Sequence, residues 1–91
     1  MPHSHLEYER IVEQTVFSRV RALLADKFGV ATNAVELDSA LVGDLGIEQA
    51  DMDYLALTLE AAFDIDITLA DATHLVRVRD AVRCILGKAL G

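Results

Sequence analysis

The sequence predicts an all-α protein, a small four-helix bundle of three main helices and one short one. Three observations lead there. Apolar residues recur at spacings of three and four in three separate stretches, which gathers them on single helical faces. The apolar fraction of 53% is almost wholly aliphatic, with aromatics at 5%, and Leu, Val, Ile and Ala interdigitate well between helices. The one alternating run, Asp64-Ile65-Asp66-Ile67, has no second strand to pair with. Ninety-one residues suit one core rather than two. The predicted organisation is a disordered tail over residues 1–5 and a single domain over 6–91.

The first helix is predicted from about Leu6 to Phe28, a stretch without Gly or Pro. Val12, Val16, Val20, Leu23 and Leu24 form its apolar stripe. Glu7, Glu9 and Glu13 stand toward its start and Arg19, Arg21 and Lys27 toward its end, an order that complements the helix macrodipole. Gly29 is placed to end it through a left-handed cap. From Gly29 to Gly46 no period is sustained, yet Val35, Leu37, Leu41 and Leu45 are too apolar for a free linker. This stretch is predicted to be an ordered loop whose leucines dock on the helices, with a single helical turn near Ser39 to Val42. A loop of this length inside a small domain points to function.

The central helix follows the Asp44-Leu45-Gly46 turn and runs to Phe63. Met52, Leu55, Leu59 and Phe63 define its apolar face, widened by Ala56 and Ala62. Glu48, Asp51, Asp53 and Glu60 fall mainly outside that face and form an acidic rim. Ile65 and Ile67 are expected to drop into the core at the helix exit. Thr68 or Asp71 can cap a short third helix through Leu75. The last helix is predicted from about Val78 to Leu90, its buried stripe being Val78, Ala81, Val82, Ile85, Leu86 and Ala89.

Charge narrows the possible partners. The net charge is −7, and all eight Lys and Arg lie in two end segments. Between Phe28 and Val76 there is no Lys or Arg against ten acidic residues. Such a centre repels nucleic acid and anionic membranes, so a basic protein surface is the expected partner. No apolar run approaches the roughly 20 residues of a membrane span, the N-terminus lacks a signal-peptide core, and the single Cys84 has no internal disulfide partner. A cytoplasmic monomer is the expectation.

Chemistry has no visible seat in the sequence. No Cys/His set has zinc-ligand spacing, no EF-hand loop is present, and no Gly-rich phosphate loop or nucleophile elbow occurs. The carboxylates are read as a solvated rim with at most weak divalent-ion binding, and no metal site is assigned. Cys84 reads as a small buried hydrophobe. Arg79 and Arg83, four apart, are read as pairing with Asp80 or the acidic centre, or else as a patch for a second partner.

The loop Leu37-Asp38-Ser39-Ala40-Leu41, the Asp44-Leu45-Gly46 turn, the run Leu59 to Ile67 and the helix opening Val78-Arg79-Asp80-Ala81-Val82 together resemble the acyl carrier proteins of fatty-acid and polyketide synthesis. The resemblance covers nearly the whole chain and implies their four-helix fold. In that family an Asp-Ser-Leu tripeptide follows the turn, and its serine bears 4′-phosphopantetheine. Here the three positions hold Glu48, Gln49 and Ala50. The resemblance thus implies a carrier-type domain without the attachment hydroxyl, hence without the cofactor and with no enzymatic activity of its own. Partner contact is expected from Ala50, Asp51, Met52, Asp53 and Glu60 on the acidic central helix. Two alternatives stand beside it: an ordinary carrier whose serine was substituted at position 49, and a helical oligomer subunit with no carrier role. Ser39 lies ten residues upstream of Gln49, in the loop, and is rejected as a substitute.

Overall fold

The computed structural model describes residues 5–90, with side chains for residues 8–89. Four helices follow in order: α1 His5–Phe28, α2 Met52–Phe63, α3 Leu69–Ala72 and α4 Val78–Leu90. Single turns of 3₁₀ helix occur at Thr32–Ala34 and Gln49–Asp51. The all-α bundle expected from the sequence is what forms, with α1 packed chiefly along α4. His5 already belongs to α1, and the remainder of the expected tail, residues 1–4, lies outside the described residues.

The core assembles from the predicted stripes. Val20 and Leu24 of α1, Leu55 and Leu59 of α2, and Val78, Ala81, Val82 and Ile85 of α4 are all buried in one cluster. Leu86 is half-buried and packs against this cluster, and Ala89 is exposed. Ile67 is buried and Ile65 half-buried, so the helix exit does anchor the chain in the core.

α1 ends where expected. Gly29 adopts φ 68°. Its N–H donates to the Ala25 carbonyl at 3.1 Å, the bond of an αL cap, and that of Val30 to Leu24 at 3.4 Å. A Cβ at Gly29 would meet nothing within 4 Å, so only the backbone conformation resists a side chain. Gly29→Ala is therefore expected to cost roughly 1–2 kcal/mol, the left-handed penalty for an L-residue, as read by urea unfolding. α2 ends by a similar reversal at Asp64, with φ 54°. Arg19 of α1 secures that end, donating to the Ala62 carbonyl at 2.6 Å with its guanidinium 4.7 Å from the centre of the Phe63 ring. A cation there also meets the negative end of the α2 dipole.

The long loop is ordered, and its anchors lie at the start of α4 and just before it. Leu41 N–H donates to the Val76 carbonyl at 2.9 Å, Val78 to Ser39 at 3.0 Å and Arg79 to Leu37 at 2.9 Å. Val35 and Leu41 are buried, with Leu37 and Leu45 packed beside them. The 3₁₀ turn falls at Thr32–Ala34, ahead of the expected helical turn near Ser39–Val42. Residues 40–46 instead form a run of turns, held by Asp44 and Leu45 N–H donating to the Ala40 carbonyl and Gly46 to Val42. Arg79 forms an ion pair with Asp38, and the Arg77 guanidinium donates to the Asp38 carbonyl. These contacts offset the unfavourable placement of cations at a helix start. The Asp80 carboxylate adds a cap, accepting from Arg77 N–H at 2.8 Å.

α3 is short and closed by a capping box. The Thr68 hydroxyl accepts from Asp71 N–H, and the Asp71 carboxylate accepts from Thr68 N–H, each at 3.0 Å. The helix stops at Ala72, short of the expected Leu75, with Thr73 and His74 in the turn that follows. Asp71 also meets Lys88 on α4 at 2.8 Å, tying α3 to the last turn of the bundle. The Lys88 ammonium, and then the Thr68 N–H, hold the Asp71 carboxyl at about 2. A depressed acid stabilises the fold above its unfolded value of about 4, and that contribution fades as pH falls toward 2. Asp71→Asn keeps the cap but loses the ion pair. Its denaturation midpoint is expected to lie below that of the natural protein at pH 7, with the gap narrowing below about pH 4 and closing near pH 2.

Candidate functional site

The start of the central helix is where the sequence places the functional position. Glu48 is extended, with φ −72° and ψ 144°, and Gln49–Asp51 winds as a 3₁₀ turn before the α-helix proper begins at Met52. The tighter turn is closed by Asp51 N–H donating to the Glu48 carbonyl at 2.8 Å. Glu48, Gln49, Ala50, Asp51 and Asp53 are all exposed there. Gln49 presents a carboxamide to solvent at the head of this segment. An amide donates and accepts hydrogen bonds but is a poor nucleophile.

The five sequence-predicted contact residues divide in two. Ala50, Asp51 and Asp53 share the exposed start of the helix. Met52 is half-buried and packs against the core, and Glu60 is half-buried with its carboxylate accepting Ile67 N–H at 2.8 Å. Glu60 therefore holds the helix exit to the helix. Between Asp53 and Asp64 the outward face of α2 carries no available carboxylate, and Tyr54, Leu57 and Ala61 occupy it instead. Tyr54 is 48% exposed and Leu57 62%. Sequence reasoning missed this face, although the spacing 54, 57, 61 is itself a helical period opposite the Met52–Phe63 stripe.

The hydroxyls elsewhere are occupied or turned inward. Ser39 is 8% exposed; its Oγ accepts from Glu36 N–H at 2.9 Å and donates to the Ala34 carbonyl at 3.2 Å. Its role is to fix the loop. Thr58, in mid-helix, donates to the Tyr54 carbonyl at 2.8 Å. Cys84 is half-buried, and burial followed by the nearby Asp71 charge pushes its thiol up, away from nucleophilic thiolate. Among the described residues no three His, Cys, Asp or Glu come together in a way that would hold a metal ion. No helix of the described residues is long and apolar enough to cross a membrane.

Comparison with known proteins agrees with this architecture. Residues 18–85 match the family described as "Phosphopantetheine attachment site". A protein named Acyl carrier protein from Campylobacter hominis is 36% identical over 70 residues, covering 77% of this chain and 89% of that protein. One of the same name from Campylobacter concisus is 36% identical over 75 residues, or 80% and 97% of the two chains. A third, from Campylobacter fetus, is 32% identical over 72 residues, or 79% and 94%. With the four-helix fold, the docked loop and these similarities together, the chain belongs to the acyl carrier protein family.

Proposed function

We propose that this protein is a carrier-type domain that has given up covalent carriage and acts by protein–protein recognition in a fatty-acid or polyketide-type pathway. One observation carries the reading: Gln49 stands at the head of the central helix, at the position that family resemblance assigns to the attachment serine. The residues present do not fit a 4′-phosphopantetheine arm. Attachment needs a hydroxyl oxygen to form a phosphodiester, and Gln49 has none. Ser39 is buried in the loop with its Oγ already hydrogen-bonded at both donor and acceptor sites. The family match supports a domain that other proteins recognise and that has no catalytic chemistry of its own.

Recognition is proposed to begin at the exposed cluster of Ala50, Asp51 and Asp53. With no Lys or Arg between Phe28 and Val76, this end of the molecule favours a basic partner surface. Met52 and Glu60 contribute indirectly, by seating the helix on the core and fixing its exit. Incubation with coenzyme A and a broad-specificity phosphopantetheinyl transferase tests the reading. The protein is expected to keep its polypeptide mass; addition of one phosphopantetheinyl group, at Ser39 or anywhere else, would overturn it.

A further inference from the structure

We propose that the outward face of α1 pairs antiparallel with the same face of a second copy of this chain, forming a weak dimer in place of the monomer expected from the sequence. The face is a stripe of Tyr8, Ile11, Thr15, Ser18 and Ala22, all exposed and spaced alternately three and four apart. It lies opposite Val20 and Leu24, which α1 buries in the core. Tyr8 is 56% exposed and Ile11 61%, so a large aromatic and a large aliphatic residue project side by side at one end of the helix. Toward the other end, Ser18 and Ala22 form an open groove of about 480 Å³ with Arg21, Thr32 and Asn33. The Thr15 hydroxyl between them donates to the Ile11 carbonyl at 2.9 Å, so burying it strands no donor. Tyr8, Ile11 and Thr15 lie outside residues 18–85, the part that matches the family.

The stripe is complementary to itself in one orientation. About a two-fold axis at Thr15, an antiparallel copy sets Tyr8 against Ala22 and Ile11 against Ser18, large against small at each level. The projecting pair of each copy then enters the groove of the other. A parallel copy would set large against large at one end and leave a gap at the other. Charge follows the same polarity. Residues 5–14 hold three Glu against one Arg, whereas residues 16–25 hold two Arg and no acid. The antiparallel pair lays the acidic half of each helix along the basic half of the other, and a parallel pair would set like against like. An unrelated helix would have to carry both gradients in register, which a second copy does by symmetry. Repulsion between two chains of net charge −7 is spread over the molecule and screened beyond about 8 Å at 0.15 M salt. Tyr8 to Ala22 spans only about 21 Å of helix. The contact is therefore small, and its dissociation constant is expected to be on the order of 100 µM.

Sedimentation equilibrium of the full chain in 0.15 M salt tests the association, and disulfide trapping tests its orientation. The weight-average mass is expected to rise from one chain toward two between about 10 µM and about 1 mM. Ile11→Glu should hold it at one chain throughout, and should melt like the natural protein because position 11 lies outside the core. In a Cys84→Ala background, Thr15→Cys should cross-link to itself under mild oxidation, since the two copies meet there on the axis. Ala22→Cys in the same background should not, because the two positions 22 stand about 14 residues apart along the pair, or about 21 Å. It should still sediment as a dimer when reduced. A mass that stays at one chain at about 1 mM would overturn the proposal. So would a dimer that survives Ile11→Glu, which would place the contact on another surface. Self-cross-linking at position 22, or its absence at position 15 in a folded dimer, would overturn the antiparallel pairing.

Discussion

Leu59→Ala is expected to lower the unfolding free energy by about 2–5 kcal/mol, measured by urea unfolding. Leu59 is 0% exposed and belongs to the cluster that joins α1, α2 and α4. Truncation removes the transfer energy of three carbons and leaves a void that helices fixed at both ends close only in part. Domains of this size are held by about 5–15 kcal/mol, so this one change removes a large share. Leu57→Ala, two residues earlier on the same helix, should stay within about 0.5 kcal/mol because its side chain faces water. A small effect at Leu59 would indicate a loosely packed interior able to admit a chain. Five clefts among the described residues are lined by side chains other than Gln49, Leu55 and Leu59.

Gln49→Ser combined with Ala50→Leu is expected to yield a protein that accepts a phosphopantetheinyl group, where the natural chain is expected to accept none. The pair replaces the amide by the required hydroxyl and restores the apolar neighbour that the family carries after its serine. Both positions are exposed, at the head of a helix whose later turns are anchored through Leu55 and Leu59, so the fold should tolerate the change. Partial rather than complete modification is expected. The first turn here is 3₁₀, which displaces the new hydroxyl from where a regular α-turn would hold it. Gln49→Ser alone should be modified more slowly, and Ala50→Leu alone not at all. If the double variant gains no mass while remaining folded, the loss of carriage involves more than the missing oxygen.

The helical stripes were legible because burial on one side of a helix writes a period into the sequence. Met52, Leu55, Leu59 and Phe63 on α2, and Val78, Ala81, Val82 and Ile85 on α4, lie on the core side they were assigned. The caps at Gly29 and Thr68 were legible too, since each requires a particular residue type. What joins the long loop to α4 was not. The bonds from Leu41, Val78 and Arg79 are backbone bonds across some forty residues, and backbone groups are the same in every residue. The acidic rim misled in one respect. Glu60 falls outside the apolar stripe, but its side chain is long enough to turn back and cap the exit at Ile67. With attention on charge, the neutral face of Tyr54, Leu57 and Ala61 passed unnoticed, although it occupies the most exposed side of the same helix.

Position 49 is proposed to carry no prosthetic group. Intact-mass spectrometry of the natural sequence, co-expressed with a broad-specificity phosphopantetheinyl transferase, tests it most directly, with the Gln49→Ser/Ala50→Leu protein as the control for competent transfer. A single species at the mass of the unmodified polypeptide, beside a control that gains the arm, is the result expected. A natural protein heavier by one phosphopantetheinyl group would contradict it, and peptide mapping would then name the hydroxyl that took the place of the missing serine.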